Sequence, residues 1–164
     1  MKNILIFITL LSLYSCSKIF SPDDEFSIEK HDYIGDEIKL DGYYYKYDGQ
    51  VYLRYCLYGS GIIRQLGVSE DFDDSNFLSG NHESNWWLFE GESNRIKIEM
   101  VGSSSGGQRL VYTNIGVILN DTTFQLTESY RLKKGEKTEY QILDEIYHFR
   151  QYSPKPDSTN DFIK

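Results

Sequence analysis

The feature that most constrains the fold is a succession of short β-type runs, each separated from the next by residues that favour turns. From about residue 37 the runs are rich in Tyr, Phe, Ile, Val and Thr, which suit strands. In the run 95–100, Ile96, Ile98 and Met100 alternate with charged residues. Such alternation with a period of two is typical of a strand that buries one face. The chain is therefore predicted to be mainly β.

Eight strands are predicted, and the connections between most of them are tight. They cover 37–47, 50–58, 62–66, 86–90, 95–100, 108–119, 122–132 and 138–152. Asp48-Gly49 between the first two predicts a type I′ turn, in which both central residues have positive φ. Asn120-Asp121 predicts another two-residue turn. Short sequential connections favour antiparallel pairing.

Alternation also predicts which residues of the later strands share a face. In 108–119 one face carries Val111, Thr113, Ile115, Val117 and Leu119, and in 122–132 one face carries Phe124, Leu126, Tyr130 and Leu132. Closure would remove exposed strand edges. We therefore expect a single antiparallel up-and-down β-barrel or a strongly curved sheet of about eight strands, with an open sandwich as the alternative. Residues 68–85 interrupt the pattern and predict one long loop or short helix, either a functional lid or a structural plug.

The first sixteen residues have the layout of an export signal. Lys2 precedes an apolar run, 4–13, of only ten residues, which is too short to span a bilayer but long enough for a signal peptide. Leu13-Tyr14-Ser15-Cys16 resembles a bacterial lipobox. We expect residues 1–15 to be removed and Cys16 to carry a diacylglycerol and an N-acyl chain, which suffice for stable anchoring. The alternative is an ordinary secreted protein.

Composition divides the remainder of the chain. Residues 16–36 contain Pro22 and the acidic run 23–25 and are expected to form a flexible spacer behind the lipid. Residues 37–152 are the β-domain, and 153–164 are a polar C-terminal tail, because two prolines end the last strand. Loss of Lys2 leaves 16 basic against 25 acidic side chains. This balance argues against nucleic acid and anionic headgroups as partners.

Residues that would carry catalysis or bind a metal are sparse. With Cys16 acylated, Cys56 is left without a partner for a disulfide. The chain lacks a Gly-x-Ser-x-Gly motif, and His31, His82 and His148 lack the spacing of zinc ligands. Asp71 and Asp73 begin a calcium-type loop, but neither its central glycine nor its final glutamate is present. We predict no cofactor and no metal site, and expect a protein that is not an enzyme.

Aromatic residues are the main signal for binding. The chain has 14 tyrosines, nine phenylalanines and two tryptophans, and exposed tyrosine and tryptophan favour contacts with proteins or carbohydrates. The candidate contact residues are Tyr43, Tyr45, Tyr55, Trp86 and Trp87. The alternative is that most of the aromatic residues form the core and cross-strand pairs.

Several segments in order carry a family resemblance: 40–45, 58–63, 87–89, 118–124, 147–150 and 153–160. Together they resemble small lipoproteins of the Bacteroidota, a resemblance that implies no particular activity. The strand pattern is also similar in outline to lipocalin-like lipoproteins, which implies a ligand inside a barrel. Asp121-Thr122-Thr123 and Asp157-Ser158-Thr159 resemble an O-glycosylation motif of these bacteria, which makes Thr122 and Ser158 candidate acceptors.

The expected function combines these observations. We expect a non-enzymatic lipoprotein of the cell envelope, held at the outer membrane on its periplasmic face or at the cell surface. It would bind a small apolar ligand in a barrel, or a glycan or protein on its aromatic face. The alternative is an immunity, protection or other protein-interaction lipoprotein.

Overall fold

The computed structural model of the protein describes residues 24–68 and 82–164. A 3₁₀ turn, Glu83–Asn85, precedes β4. The strands are β1 (Gly42–Tyr47), β2 (Tyr52–Leu57), β3 (Ile62–Gln65), β4 (Trp86–Glu92), β5 (Arg95–Ser103), β6 (Arg109–Asn120), β7 (Thr123–Lys133) and β8 (Glu136–Gln151).

The eight strands form a closed antiparallel barrel in simple chain order. Each strand pairs with the next, and β8 closes the ring on β1, where Tyr44 lies opposite Phe149. The predicted up-and-down barrel is thus confirmed, and the sandwich alternative is wrong. Because the chain runs up and down, the connections that follow β1, β3, β5 and β7 lie at one end, which we call the upper end. The other connections lie at the lower end.

The alternation predicted for β5 and β6 is confirmed, and the structure shows which way each face points. Ile96, Ile98 and Met100 belong to the interior apolar cluster. On β6 the residues opposite Ile96 and Ile98 are Gly116 and Asn114. The face that carries Val111 to Leu119 therefore points outward.

The prediction for β7 is wrong in its second half. Phe124 and Leu126 point into the barrel, but the register with both neighbouring strands shifts between Leu126 and Glu128. This irregularity reverses the faces, so Tyr130 lies opposite the outward-facing Thr113. At the same place Gly116 approaches the backbone of Gln125 so closely that a Cβ would lie 2.2 Å from its carbonyl oxygen.

The first hairpin also differs from its prediction. The β1–β2 connection has four residues, and of Asp48 and Gly49 only Gly49 has positive φ. The Asp48 carboxylate accepts hydrogen bonds from the backbone N–H groups of Gln50 and Val51, each at 2.9 Å, and this Asx-type capping stabilises the longer turn. The two-residue turn with positive φ at both positions is Lys134-Gly135, between β7 and β8.

Residues 24–36, named here the strap, do not form the flexible spacer that composition predicted. The strap starts at the upper end, where the Asp24 N–H donates to the Arg109 carbonyl at 3.1 Å. It descends along the outside of the barrel, and Ile28 is buried there with Trp86 and Leu88. At the lower end the Tyr33 N–H donates to the Gly59 carbonyl at 2.7 Å. Composition missed this docking because it depends on partners far away in the sequence.

The residues after β8 are likewise packed rather than a free polar tail. Ile163 is buried in the same outer cluster as Ile28. The Lys155 ammonium donates to the carbonyl oxygens of Leu40 at 2.6 Å and Leu57 at 2.5 Å. It also lies 4.2 Å from the ring centre of Tyr58. Burial lowers the pKa of Lys155, so this cation is retained because the two carbonyls and the ring compensate for lost hydration.

Replacement of Lys155 by methionine is expected to destabilise the protein by about 1–3 kcal/mol, because two buried carbonyl groups lose their donor. Urea unfolding measures the change. Lys164→Met is the matched control at an exposed site and should leave the unfolding midpoint unchanged. Equal stability of both variants would show that the ammonium is not needed to hold the C-terminal segment.

Candidate binding surface

The barrel interior is filled by its own side chains. The rings of Phe124 and Tyr147 are stacked with centroids 4.8 Å apart, and those of Tyr55 and Trp87 lie 4.9 Å apart. The pocket that these rings line together with Ile98 and Leu126 holds about 10 Å³, which is room for at most one water molecule. A site for a small molecule usually needs about 300 Å³ or more.

A polar cluster lies beside this interior, towards the upper end. The Lys46 ammonium is 2.5 Å from the Glu145 carboxylate, which also accepts a hydrogen bond from the Tyr147 hydroxyl at 2.9 Å. Burial and the neighbouring Tyr55 and Glu145 raise the pKa of Tyr147, so its hydroxyl stays protonated as a donor. The three polar groups are thus paired with one another beside the aromatic core.

The predicted contact residues do not come together on one surface. Tyr55 and Trp87 point into the barrel. Trp86 lies on the outside but is buried beneath Ile28 and Ile163. Tyr43 is packed with Cys56, and only Tyr45 is partly exposed. Four of the five are therefore poorly placed to touch a partner. The alternative that the aromatic residues build the core fits their burial.

The remaining predicted positions are placed as follows. Cys56 is buried, and burial raises the pKa of its thiol, which makes it unreactive. Thr122 is half-buried in the lower-end turn between β6 and β7, where its hydroxyl donates to the Asn120 side chain at 2.8 Å, and Ser158 is half-buried in the C-terminal segment. Their glycosylation stays a prediction. Asp71 and Asp73, with most of the predicted lid or plug, lie outside the described residues.

Part of the outer surface is covered by the chain itself. The strap lies over β4 and β5, while the C-terminal segment lies beside β3 and β4 through Ile163. On the outside of β2, Arg54 is fully buried and donates through Nε and Nη2 to the Gly67 carbonyl at 3.3 and 3.1 Å. Below Thr113 on β6 and Tyr130 on β7, and along β8, the outer side of the barrel lacks such a cover among the residues that the structure describes.

This uncovered area, named here the open face, is apolar. It consists of Ile115, Val117 and Leu119 on β6 and of Tyr140, Ile142 and Ile146 on β8. Two rows of paired residues across β7 connect the two strands. One row is Val117, Gln125 and Ile146. The other row is Ile115, Glu128 and Ile142. The exposed fractions are 83% for Ile142, 54% for Tyr140, 52% for Leu119 and 42% for Ile146. Clusters of exposed apolar side chains with polar neighbours are typical of protein interfaces.

Polar groups within the open face are fixed by neighbours. The Gln125 amide donates to the Asp144 carboxylate at 2.7 Å. A hydrogen bond to Glu128 raises the pKa of Tyr140, and the Lys137 ammonium lies 3.8 Å from the same carboxylate. The isoleucines are thus surrounded by oriented polar groups, as in an interface with an apolar centre and a polar rim.

An open groove of about 630 Å³ adjoins the open face. It runs between the strap and the β4–β5 hairpin and reaches Ile115, which belongs to both surfaces. Ile34 lines it and is 97% exposed. The groove contains charges of both signs, with Glu90 and Glu92 on one strand and Arg95 and Lys97 on the next. Mixed charge and an exposed isoleucine suit a polypeptide better than a purely apolar ligand.

No group of three or more potential metal-ligating His, Cys, Asp or Glu side chains occurs within residues 24–68 and 82–164. The same segments hold no helix that is both long and apolar enough to span a bilayer. His31 belongs to the strap, His82 caps the 3₁₀ turn and His148 lies on β8, so the three histidines sit on separate elements.

Comparison of the chain with protein-family models, with curated proteins and with solved structures finds no match. The candidate surface therefore rests on the geometry alone.

Sequence reasoning did not single out the open face, although a signal was present. In β8, Tyr140, Ile142 and Ile146 occupy one face, and the opposite face carries Leu143, Tyr147 and Phe149, which pack in the interior. A strand that is apolar on both faces in a single-layered barrel must leave one of them on the outside.

Proposed function

We propose that this protein is a lipid-anchored, non-enzymatic protein of the cell envelope that binds a partner protein on the open face. The observation that carries the proposal is the exposure of Ile142, Ile146 and Leu119 on the one side of the barrel that the described terminal segments leave uncovered. The anchor rests on the lipobox that ends at Cys16.

The filled interior supports an external partner. A small apolar ligand would have to displace packed aromatic rings, because the pocket between the rings of the core holds about 10 Å³. A glycan usually stacks on exposed rings, and on the open face the exposed ring is that of Tyr140. The isoleucines favour a protein surface instead. Proteins that neutralise or sequester other proteins, including immunity lipoproteins, belong to this class.

The test is site-specific photo-cross-linking in intact cells, with the photoreactive residue at Leu119. We expect one discrete adduct with a second protein. Ile142→Glu combined with Ile146→Glu should abolish this adduct, because two charges would be buried without partners in the interface. As surface substitutions, they should change the free energy of unfolding by no more than about 0.5 kcal/mol each.

Tyr47→Ser is the matched control, since Tyr47 is an exposed aromatic residue on β1, outside the open face. It should leave the adduct intact. An adduct made only with a second copy of the chain would identify the open face as a dimer interface. Absence of any protein adduct, or an adduct that survives both glutamates, would contradict the proposal.

A further inference from the structure

The start of the strap is fixed beside the hairpin formed by β7 and β8, at the upper end of the barrel. The Asp24 carboxylate accepts hydrogen bonds from Arg131 Nε at 2.5 Å and Nη2 at 3.0 Å. It also accepts one from the Val111 N–H at 3.2 Å. The hydrogen bonds from Arg131 lower the pKa of Asp24, so the carboxylate is charged and the ion pair persists at neutral pH. The described part of the chain therefore begins at the upper end, eight residues after Cys16.

At the upper end the hairpin tip, residues 131–137, separates from the neighbouring β5–β6 hairpin, which continues to the pair Ser103 and Arg109. The last paired residues of β6 and β7 at this end are Tyr112 and Arg131, and beyond them β7 pairs with β8 alone. The tip carries four cations, Arg131, Lys133, Lys134 and Lys137, and one acid, Glu136. Arg131 is paired with Asp24 and Glu139, and Lys137 lies 3.8 Å from Glu128. Leu132 at the tip is 38% exposed. An acidic chain thus carries a cationic hairpin tip beside Asp24, which is eight residues after Cys16.

The docked strap shortens the tether. Cys16 and Asp24 are eight residues apart, which allows a separation of at most about 29 Å and an average of about 16 Å for a flexible chain. A free spacer up to residue 36 would instead reach about 70 Å. The docking of the strap therefore decides which end of the barrel stays near the lipid.

Resting on the proposed lipid at Cys16, we propose that the upper end faces the bilayer and that the lysines of the hairpin tip contact the phosphate groups of lipid headgroups. The net charge of the chain opposes such contact at long range. Screening by salt limits that repulsion to about 10 Å, so the charge of the element that touches the bilayer determines whether the contact is favourable. The lower end then faces away from the bilayer, and the open face stands on the side of the barrel, where a partner in the same membrane can reach it.

The experiment uses the full-length lipidated protein in vesicles of phosphatidylethanolamine and phosphatidylglycerol that contain a headgroup nitroxide lipid. A bimane label is attached to Lys133→Cys at the hairpin tip or to Glu92→Cys at the lower end, both exposed positions. Cys56 is buried and does not compete for the label. We expect strong loss of bimane fluorescence at position 133 and little loss at position 92.

Two further variants separate the parts of the proposal. Asp24→Asn combined with Glu99→Gln removes two attachments of the strap. In this variant the loss of bimane fluorescence should be similar at positions 133 and 92. Lys134→Glu combined with Lys137→Glu should reduce the loss at 133 if the lysines touch headgroups. Unchanged loss in that variant would overturn the lysine contact, and equal or greater loss at 92 than at 133 in the parent would overturn the orientation. Protein that fails to float with the vesicles would overturn the lipid anchor. This outcome separates failure of the proposed function from failure of the proposed orientation.

Discussion

Trp87→Ala is expected to destabilise the protein by about 3–5 kcal/mol, which is a large part of the stability of a small domain. Trp87 is 5% exposed and packs on Tyr55, and its indole N–H donates to the Ser84 carbonyl at 2.8 Å. Truncation leaves a cavity in an interior that has about 10 Å³ of free space. Urea unfolding followed by far-UV circular dichroism measures the loss.

Tyr47→Ala is the control for this experiment. It removes an aromatic side chain of the same barrel that is 56% exposed, so we expect a change within about 0.5 kcal/mol. A small effect of Trp87→Ala would show that Trp87 is not packed as the structure has it, and would reopen the sequence-based hypothesis that it contacts a ligand.

Glu99→Gln is expected to destabilise the protein by about 3 kcal/mol and to release the strap, because a carboxylate that receives several charge-assisted hydrogen bonds is replaced by an amide that cannot accept them all. Glu99 is 1% exposed. One oxygen accepts from the N–H groups of Ser27 at 2.6 Å and Ile28 at 3.0 Å. The other accepts from the hydroxyl groups of Ser27 and Thr113.

The strap's release has its own measurement. Lys30 is exposed within the strap, and trypsin should cleave after it much faster in Glu99→Gln than in the parent protein, since a protease needs an extended, undocked chain. Glu92→Gln, at an exposed position on the neighbouring strand, should cleave at the parental rate. Equal cleavage of all three proteins would mean that Glu99 does not hold the strap.

Glu99 also makes stability depend on pH. Burial raises the pKa of Glu99, but the hydrogen bonds from Ser27 and Ile28 and the charge of Lys97 outweigh it and leave the pKa below the ordinary 4.5. The contribution of a carboxyl with a lowered folded-state pKa is complete above its unfolded-state pKa and is lost as the pH falls through the folded-state value. Below about pH 4.5, the parent protein should therefore lose stability more steeply than Glu99→Gln. Parallel pH profiles would contradict this linkage.

The strands of the barrel were predictable because strand formation is indicated by residues that are close to one another in the sequence. Alternation in β5 and turn-favouring residues between the runs are local signals, and each of the eight predicted strands exists. The predicted positions failed where one extra residue or a side-chain cap changed the local geometry. The irregularity near Leu126 reversed the faces of β7, and the Asp48 carboxylate stabilised a longer turn than Asp-Gly predicts.

The position of the strap, and therefore which side of the barrel stays uncovered, was not predictable for a different reason. Residues 24–36 have the composition of a linker, and distant partners convert them into a docked segment, among them Glu99, more than 70 residues away, and Arg131, farther still. The open face arises because those segments cover one side of the barrel and leave the other. Contacts between segments that are distant in the sequence do not produce a periodic pattern of apolar residues, so they could not be predicted from the pattern.

Closure of the ring between β1 and β8 has a consequence for how the chain reaches its native state. Strands β1 to β7 can pair in order as neighbours, but the last seam joins residues more than 100 positions apart, such as Tyr44 and Phe149. Contacts of such long sequence separation slow folding. Until β8 arrives, β1 and β7 are both unpaired edges that invite aggregation. A chain that lacks its last 30 residues should therefore fail to fold at all, rather than yield a smaller barrel.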